Sequence, residues 1–485
     1  MSDGITRALL ITGHAPCETV YGGEILLNRA LIALSKSGVR SATIVCQAGQ
    51  REQITSLIRP VTHRLQLHFD IVEKRTDESL AAALTRASEQ WLEVFFLFPA
   101  DTLVHPTFLT QARQYHSSPK PLLFAYKGVR IQNGQVVYGP GFADRFRVIF
   151  ANPVPFTKIA LDASVSQSEV IDLASTQEVE ISSTLRQGFI STDITICRHT
   201  DLTNRAFDTY AELIQRWRET QTLSVGFIAN AWWLKITGQE TPAQLNAFFW
   251  KIAFKEISGE FSKLVNSKMS KPMTFAFVAL GVSPNAISIL ELVLFLISSA
   301  FLLFPYYWTM ILFAIIWQFS AGVLDRCDGE VARMRNYESD AGGRFDMLID
   351  DLRFALPFLF LTIACCREYA SPRSYLFAAV VTTLWYGTAV VRHSQFLRRS
   401  GYVSIQTMGQ DFFKNRQGAW VKPYRRIQPF VKGDVRTFYL FLLTFLGSKH
   451  VLFWTLAVYA WLVGGSYFFT IMKFHSPNPS AAVET

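Results

Sequence analysis

The feature that most constrains this chain is a set of apolar stretches in its second half: residues 285–304, 306–323, 354–366, 375–391, 435–446 and 451–472. A lipid interior offers backbone groups no hydrogen bonds, so a segment crossing it must be a helix or part of a closed barrel. About 20 apolar residues span the hydrocarbon as a helix. The shorter stretches approach that length once their polar flanks reach into the interface, although 435–446 also fits a buried core helix or a re-entrant segment. The pattern predicts an all-α membrane domain of about six transmembrane helices.

Charge agrees. Residues 1–240 carry 23 Lys and Arg against 23 Asp and Glu, and residues 241–485 carry 24 against 15. The excess of +9 therefore sits in the apolar half. With the N-terminus in the cytosol, the second-to-third and fourth-to-fifth connections are cytosolic and hold most of the basic residues. That is the positive-inside pattern, and it places the first half of the chain on the cytoplasmic side of the cell (inner) membrane. The basic residues are not interleaved with aromatics as in a nucleic-acid groove, so no nucleic acid is expected as a partner. With 50% of residues hydrophobic and 18% charged, disorder, a collagen-like repeat and a small disulfide scaffold are excluded. The six cysteines show no metal-binding spacing. The apolar run near Met1 is too short for a signal-peptide core.

The first half reads differently. Short apolar runs at 8–12, 42–46, 65–72, 94–98 and 122–126 alternate with helical stretches such as 24–37. Such alternation predicts an α/β domain with a parallel-rich sheet over residues 1–240. Residues 162–183 are polar enough for an insertion or loop. Residues 241–272 mix Phe248, Trp250, Ile252, Phe254 and Ile257 with lysines, which predicts an amphipathic juxtamembrane linker. Such a helix docks on an anionic membrane surface or serves as a solvated connector. The membrane domain is expected over 273–475 and a disordered tail over 476–485.

The chemistry concentrates in residues 324–351, LDRCDGEVARMRNYESDAGGRFDMLIDD. Asp325 and Asp328, with Gly329, Ala332 and Arg333, share one face of a helix at three- and four-residue spacing. Gly342, Asp346 and Asp350 form a second stripe. A short turn between them would let two antiparallel helices face four carboxylates together. Burying each charge costs several kcal/mol, roughly, so such a quartet calls for compensation. Hard divalent cations, Mg²⁺ or Mn²⁺, suit oxygen ligands, and two such ions would clamp the oxygens of a phosphoryl displacement. Glu291, inside the first apolar stretch, either lines a cavity or sits near the interface. Asp351 points away from the stripe and is expected to be solvated or paired with an arginine.

These residues resemble the signature of the CDP-alcohol phosphotransferase (CDP-alcohol phosphatidyltransferase) family, D-x2-D-G-x2-A-R-x8-G-x3-D-x3-D. Asp325, Asp328, Gly329, Ala332, Arg333, Gly342, Asp346 and Asp350 keep every spacing, and Pro284 and Asn285 open the first span as they often do in the family. The resemblance covers roughly residues 263–473. It implies transfer of the substituted phosphate of a CDP-alcohol donor to an alcohol acceptor, a lipid or a polyol or inositol phosphate, with release of CMP, as in phospholipid synthesis. It implies six helices in the bilayer around a cytosol-facing cavity, usually in a homodimer. Asp325, Asp328, Asp346 and Asp350 would hold two divalent metals, with Asp350 the general base. Gly329, Ala332, Arg333, Gly342 and Asn285 would bind the nucleotide. In the basic stretch 392–436, Arg398, Arg399 and Arg436 are candidates for a phosphorylated acceptor, with ordinary positive-inside charge as the alternative.

A fainter resemblance touches the first half. GGEILLNRALIALSKSGVRSATIVC, the strand ending in Phe98, Pro99, Ala100 and Asp101, and the stretch from Trp232 to Leu245 resemble sugar-phosphate nucleotidyltransferases. The layout is similar to that of bifunctional inositol-phosphate cytidylyltransferase/di-myo-inositol phosphate phosphate synthases. Two departures stand out: ITGHAPCETVYGG lacks the family's basic residues, and KITG at 235–238 lacks its second metal acid. The domain therefore reads as degenerate, regulatory or substrate-delivering. Two other readings remain open: an enzyme that also makes its CDP-alcohol from CTP, or an ion-coupled transporter or scaffold.

Overall fold

A computed structural model of the chain describes residues 5–12, 20–62, 65–115, 119–132, 135–138, 158–161, 170–174, 187–203, 206–220, 222–228, 233–236, 241–254, 266–400 and 433–474. The chain divides into two compact units, Met1–Ile252 and Ala253–Thr485.

Ten strands of the first unit form one sheet among the described residues: β1 (Arg7–Ile11), β2 (Ser41–Cys46), β3 (His68–Glu73), β4 (Phe95–Pro99), β5 (Leu122–Gln132), β6 (Gln135–Tyr138), β7 (Lys158–Leu161), β8 (Val170–Ala174), β9 (Gln187–Cys197) and β10 (Ser224–Ile228). The order is β8-β7-β9-β4-β1-β2-β3, with β5 pairing with β9, β6 and β10. The β4-β1-β2-β3 block is parallel, with Leu9 opposite Thr43 and Leu97. Alternate side chains of a strand point to opposite faces. Leu10, Ile44, Phe96 and Phe98 pack on one side with residues of α1 (Leu26–Lys36), α2 (Arg51–Thr62) and α4 (Pro106–Ala112). Leu9, Ile11, Val45 and Leu97 pack on the other with α3 (Leu80–Ser88) and α5 (Tyr210–Glu219). Apolar residues on both faces of β1 are what a sheet covered on both sides requires.

Two expectations are corrected here. Residues 24–37 begin not as helix but with the two-residue strand Glu24–Ile25, paired with Val20–Tyr21. Within 162–183, read as a loop, β8 pairs with β7; polar strands at a sheet edge lack the apolar alternation that would announce them.

α6 (Pro242–Ala253) buries Phe248 and Phe249 almost completely, and the Arg29 guanidinium lies 4.5 Å above the Phe249 ring. These two aromatics therefore pack on protein, which is neither of the two expected roles, docking on a membrane surface or a solvated connector. Residues 255–265, the middle of the expected linker, and 475–485, which include the expected tail, lie outside the described residues.

The second unit contains α7 (Ser267–Ala279), α8 (Pro284–Phe301), α9 (Tyr307–Phe319), α10 (Asp325–Met334), α11 (Asp340–Glu368), α12 (Pro372–Ser400), α13 (Gly433–Thr444) and α14 (Lys449–Phe474). Every expected apolar stretch lies largely on a helix. Among the described residues, four segments are long and apolar enough to cross a membrane: Pro284–Phe301, Tyr307–Met334, Pro372–Phe396 and Lys449–Phe468. By length and composition the described residues thus give four spans and do not confirm six: α11 carries the acidic stripe, and α13 has 12 residues. Phe295, Phe313, Trp317, Leu361 and Phe453 form the shared core. Ile289, Leu296, Phe377, Leu384, Val458 and Leu462 stay exposed, as a surface facing lipid demands. Gly464 matters to this packing, because a Cβ there would lie 2.5 Å from Trp385 Nε1.

Candidate active site

The site is built where α8, α10 and α11 meet. α9 runs into α10 through a wider π-turn at Ser320–Leu324. Such insertions change which residues share a face and recur at functional sites. Past it, Asp325 and Asp328 occupy the first turn of α10. Asp328 is buried and accepts a 2.6 Å hydrogen bond from the Ser288 hydroxyl of α8. The Gly329 N–H also donates to it.

The turn into α11 depends on Asn336, whose φ of 57° lies in the left-handed region that short amides tolerate. Ser339 then caps α11, accepting from the Gly342 N–H at 3.0 Å. A Cβ on Gly342 would stand 3.2 Å from that cap oxygen, so glycine suits the position. α11 thereby brings Asp346 and Asp350 back beside α10. Asp346 lies within electrostatic reach of Asp325, Asp328 and Asp350. Asp328 is buried and Asp346 is half-buried, whereas half of the Asp350 side chain is exposed.

Two charged residues outside the pattern join them. Arg353 donates to Asp350 Oδ1 at 2.7 Å, to Glu291 Oε1 at 3.1 Å, and to Asp325 Oδ1. Glu291 is fully buried in α8 and paired with Arg353, so it does not sit at the membrane interface. A nearby second cluster surrounds the buried carboxylate of Glu330, which accepts from Ser270 at 3.1 Å, Thr274 at 2.7 Å and Arg326 at 3.2 Å. It fastens α7 to α10.

The remaining candidates fall out as follows. Arg333 donates through Nε to the Ala253 carbonyl at 2.6 Å, and its Nη1 would lie 3.0 Å from a Cβ on Gly329. Glycine at 329 therefore lets the guanidinium lie against the helix. Ala332 is partly buried on the same helix, and Asn285 is exposed at the start of α8, whose N-cap is Ser283. Arg399 is exposed near the end of α12, and the side chains of Arg398 and Arg436 lie outside the described residues. Asp351 accepts from the Tyr386 hydroxyl at 2.9 Å, so its partner is neither water alone nor an arginine. In the first unit, Asp101 is buried just past β4 and accepts weakly from the Thr102 hydroxyl at 3.4 Å.

Ser288 and Arg353 are the residues that spacing arguments passed over, and Glu291 was left between two readings. The available signal was Glu291, an acid in the otherwise apolar α8, since intramembrane charges rarely stand without a role. As for metal, no group of three His, Cys, Asp or Glu side chains is arranged to hold an ion among the described residues. The donor chemistry nevertheless fits one: five carboxylates converge around the guanidinium of Arg353, and all offer hard oxygens.

Fold and site define a class, a helical unit with membrane-crossing segments and an acidic centre, joined to an α/β domain. Residues 281–471 match the family model of the CDP-alcohol phosphatidyltransferases. A bifunctional IPC transferase and DIPP synthase of Archaeoglobus fulgidus is 31% identical over 178 residues, covering 36% of this chain and 34% of the relative. The match thus spans about a third of that relative's length. Among solved structures, the inositol-1-phosphate CTP transferase from T. maritima is 15% identical, covering 50% of this chain and 93% of its own, with a TM-score of 0.36. A UDP-glucose pyrophosphorylase complexed with UDP-glucose is 12% identical, covering 50% and 97%, with a TM-score of 0.35.

Proposed function

We propose that the chain is an integral membrane CDP-alcohol phosphotransferase whose first unit and active centre face the cytoplasm. One observation carries the reading: the complete eight-residue pattern lies on two consecutive helices that bring its four aspartates within electrostatic reach of one another.

The reaction joins an acceptor hydroxyl to the phosphorus that carries the donor alcohol. The P–O bond to CMP breaks, and CMP leaves with the bridging oxygen. Asp350, the most exposed of the four, takes the hydroxyl proton as general base. Asp325, Asp328 and Asp346, with Asp350, would hold two Mg²⁺ or Mn²⁺ ions. Such ions draw negative charge off the diphosphate and make CMP a better leaving group. Ser288 holds the buried Asp328 in one orientation. Arg333, beside Gly329, presents a fork suited to phosphate oxygens. Gly342 and Ala332 leave room along the two helices, and Asn285 stands at the mouth of α8. Arg398, Arg399 and Arg436 are proposed to attract a phosphorylated acceptor. A homodimer in the bilayer is part of the same reading.

The test is a panel: several CDP-alcohols against lipid, polyol and inositol phosphate acceptors, with Mg²⁺ or Mn²⁺ and CMP as readout. CMP release that requires donor, acceptor and metal together supports the reading. No CMP from any pair refutes it.

A second reading adds synthesis of the CDP-alcohol in the first unit. The two activities in the name of the Archaeoglobus relative and the placement of Asp101 favour it. It expects pyrophosphate from CTP and a sugar or inositol phosphate, lost in Asp101→Ala.

A further inference from the structure

Arg353 is only 7% exposed, yet three carboxylates from three helices converge on its Nη2: Glu291 on α8, Asp325 on α10 and Asp350 on α11. Its surroundings fix it further. The Phe295 ring, one turn past Glu291, lies 5.6 Å from the guanidinium carbon. The Trp317 indole N–H donates to the Arg353 carbonyl at 3.3 Å. Glu291 is fully buried, and its Oε2 has no hydrogen-bond partner among the described residues. A buried ion pair is weak ground for stability, since apolar residues of similar volume often do as well. Its retention at the acidic centre therefore points to a role in the site.

Two carboxylates on facing helices repel and swing apart unless something bridges them. A guanidinium does so with direction, because its planar fork is rigid. It needs a counter-charge of its own to avoid following one acid alone, and Glu291 is that charge. We propose that Arg353 is a positioning residue that holds Asp325 and Asp350 at one separation, with Glu291 as its anchoring counter-ion. This rests on the proposed transferase reading for its catalytic consequence, though not for its geometry.

Arg353→Met alone would strand the buried Glu291 charge, so the informative variant is Glu291→Gln with Arg353→Met. The pair keeps the net charge of the cluster and removes only the bridge. Full-length protein in nanodiscs would be followed by thermal unfolding, by Mn²⁺ binding through electron paramagnetic resonance, and by CMP release. The double variant is expected to unfold near the wild-type temperature and to bind Mn²⁺ at least tenfold more weakly. It is also expected to release CMP at least tenfold more slowly at saturation, with KM for the donor within threefold. Wild-type Mn²⁺ affinity and turnover in the folded double variant would overturn the proposal, as would a double variant that does not fold. If the wild type binds Mn²⁺ but releases no CMP, the transferase reading fails and the Mn²⁺ comparison still decides the positioning role. A wild type that binds no Mn²⁺ overturns both.

Discussion

At the scale of single residues, buried polar groups carry most of the information. Glu330 is fully buried and satisfied by two hydroxyls and Arg326. Removing one member of a buried charged cluster typically costs about 3–5 kcal/mol. Glu330→Ala should therefore lower the thermal midpoint strongly, and Ser270→Ala, which removes one hydroxyl donor, should cost about 1 kcal/mol. Equal effects of the two would contradict the assignment. In the first unit, burial pushes the Cys197 thiol and the Tyr210 hydroxyl well above their ordinary values. The unfolded chain then loses those protons first. The stability they contribute is complete below about 8.5 for the thiol and about 10 for the phenol, and fades as pH rises through the higher folded values. Pulse proteolysis of the full chain between pH 7 and 11 should show this loss, and Cys197→Ala with Tyr210→Phe should flatten it. The aspartate pattern was legible because its members recur at helical spacing within 26 residues. The pairing of Glu291 with Arg353 was not, because 62 positions separate them and only packing of α8 on α11 joins them.

At the scale of elements, two local devices place the acids. The first is the turn between α10 and α11. Left-handed backbone costs a residue with a branched Cβ about 1–2 kcal/mol, so Asn336→Val should destabilise the protein by that amount while Asn336→Gly is tolerated. Ser339→Ala removes the cap of α11 and should cost about 1 kcal/mol. Thermal unfolding checks both, and an unaffected Asn336→Val would contradict the turn assignment. The second device is close packing of α12 on α14, where Gly464 meets the Trp385 ring. Gly464→Leu should cost about 1–3 kcal/mol through overpacking. Helices were readable from apolar length alone, and so were the parallel strands β1, β2 and β4, buried on both faces. The π-turn before Asp325 was not, because no side-chain pattern distinguishes a five-residue turn from a four-residue one. Neither was β8, whose residues VIDLA sit in a polar stretch.

At the scale of the whole molecule, the account requires that the acidic ends of α10 and α11 open to the cytoplasm. The ion pair of Lys449 with Glu368 lies at the far end of α11 from the aspartates and should face the opposite side. A cysteine introduced at exposed Lys268 should react with an impermeant maleimide only in inside-out vesicles, and labelling from outside would contradict this. What decides the central claim is the acidic centre itself. The most direct measurement is CMP release by wild type and Asp346→Asn, with Mg²⁺ and the active pair from the substrate panel. The account predicts metal-dependent CMP from the wild type and a loss of at least about a thousandfold in the folded variant, a charge-stabilising role of this kind being worth roughly that much. Undiminished turnover by Asp346→Asn would contradict it.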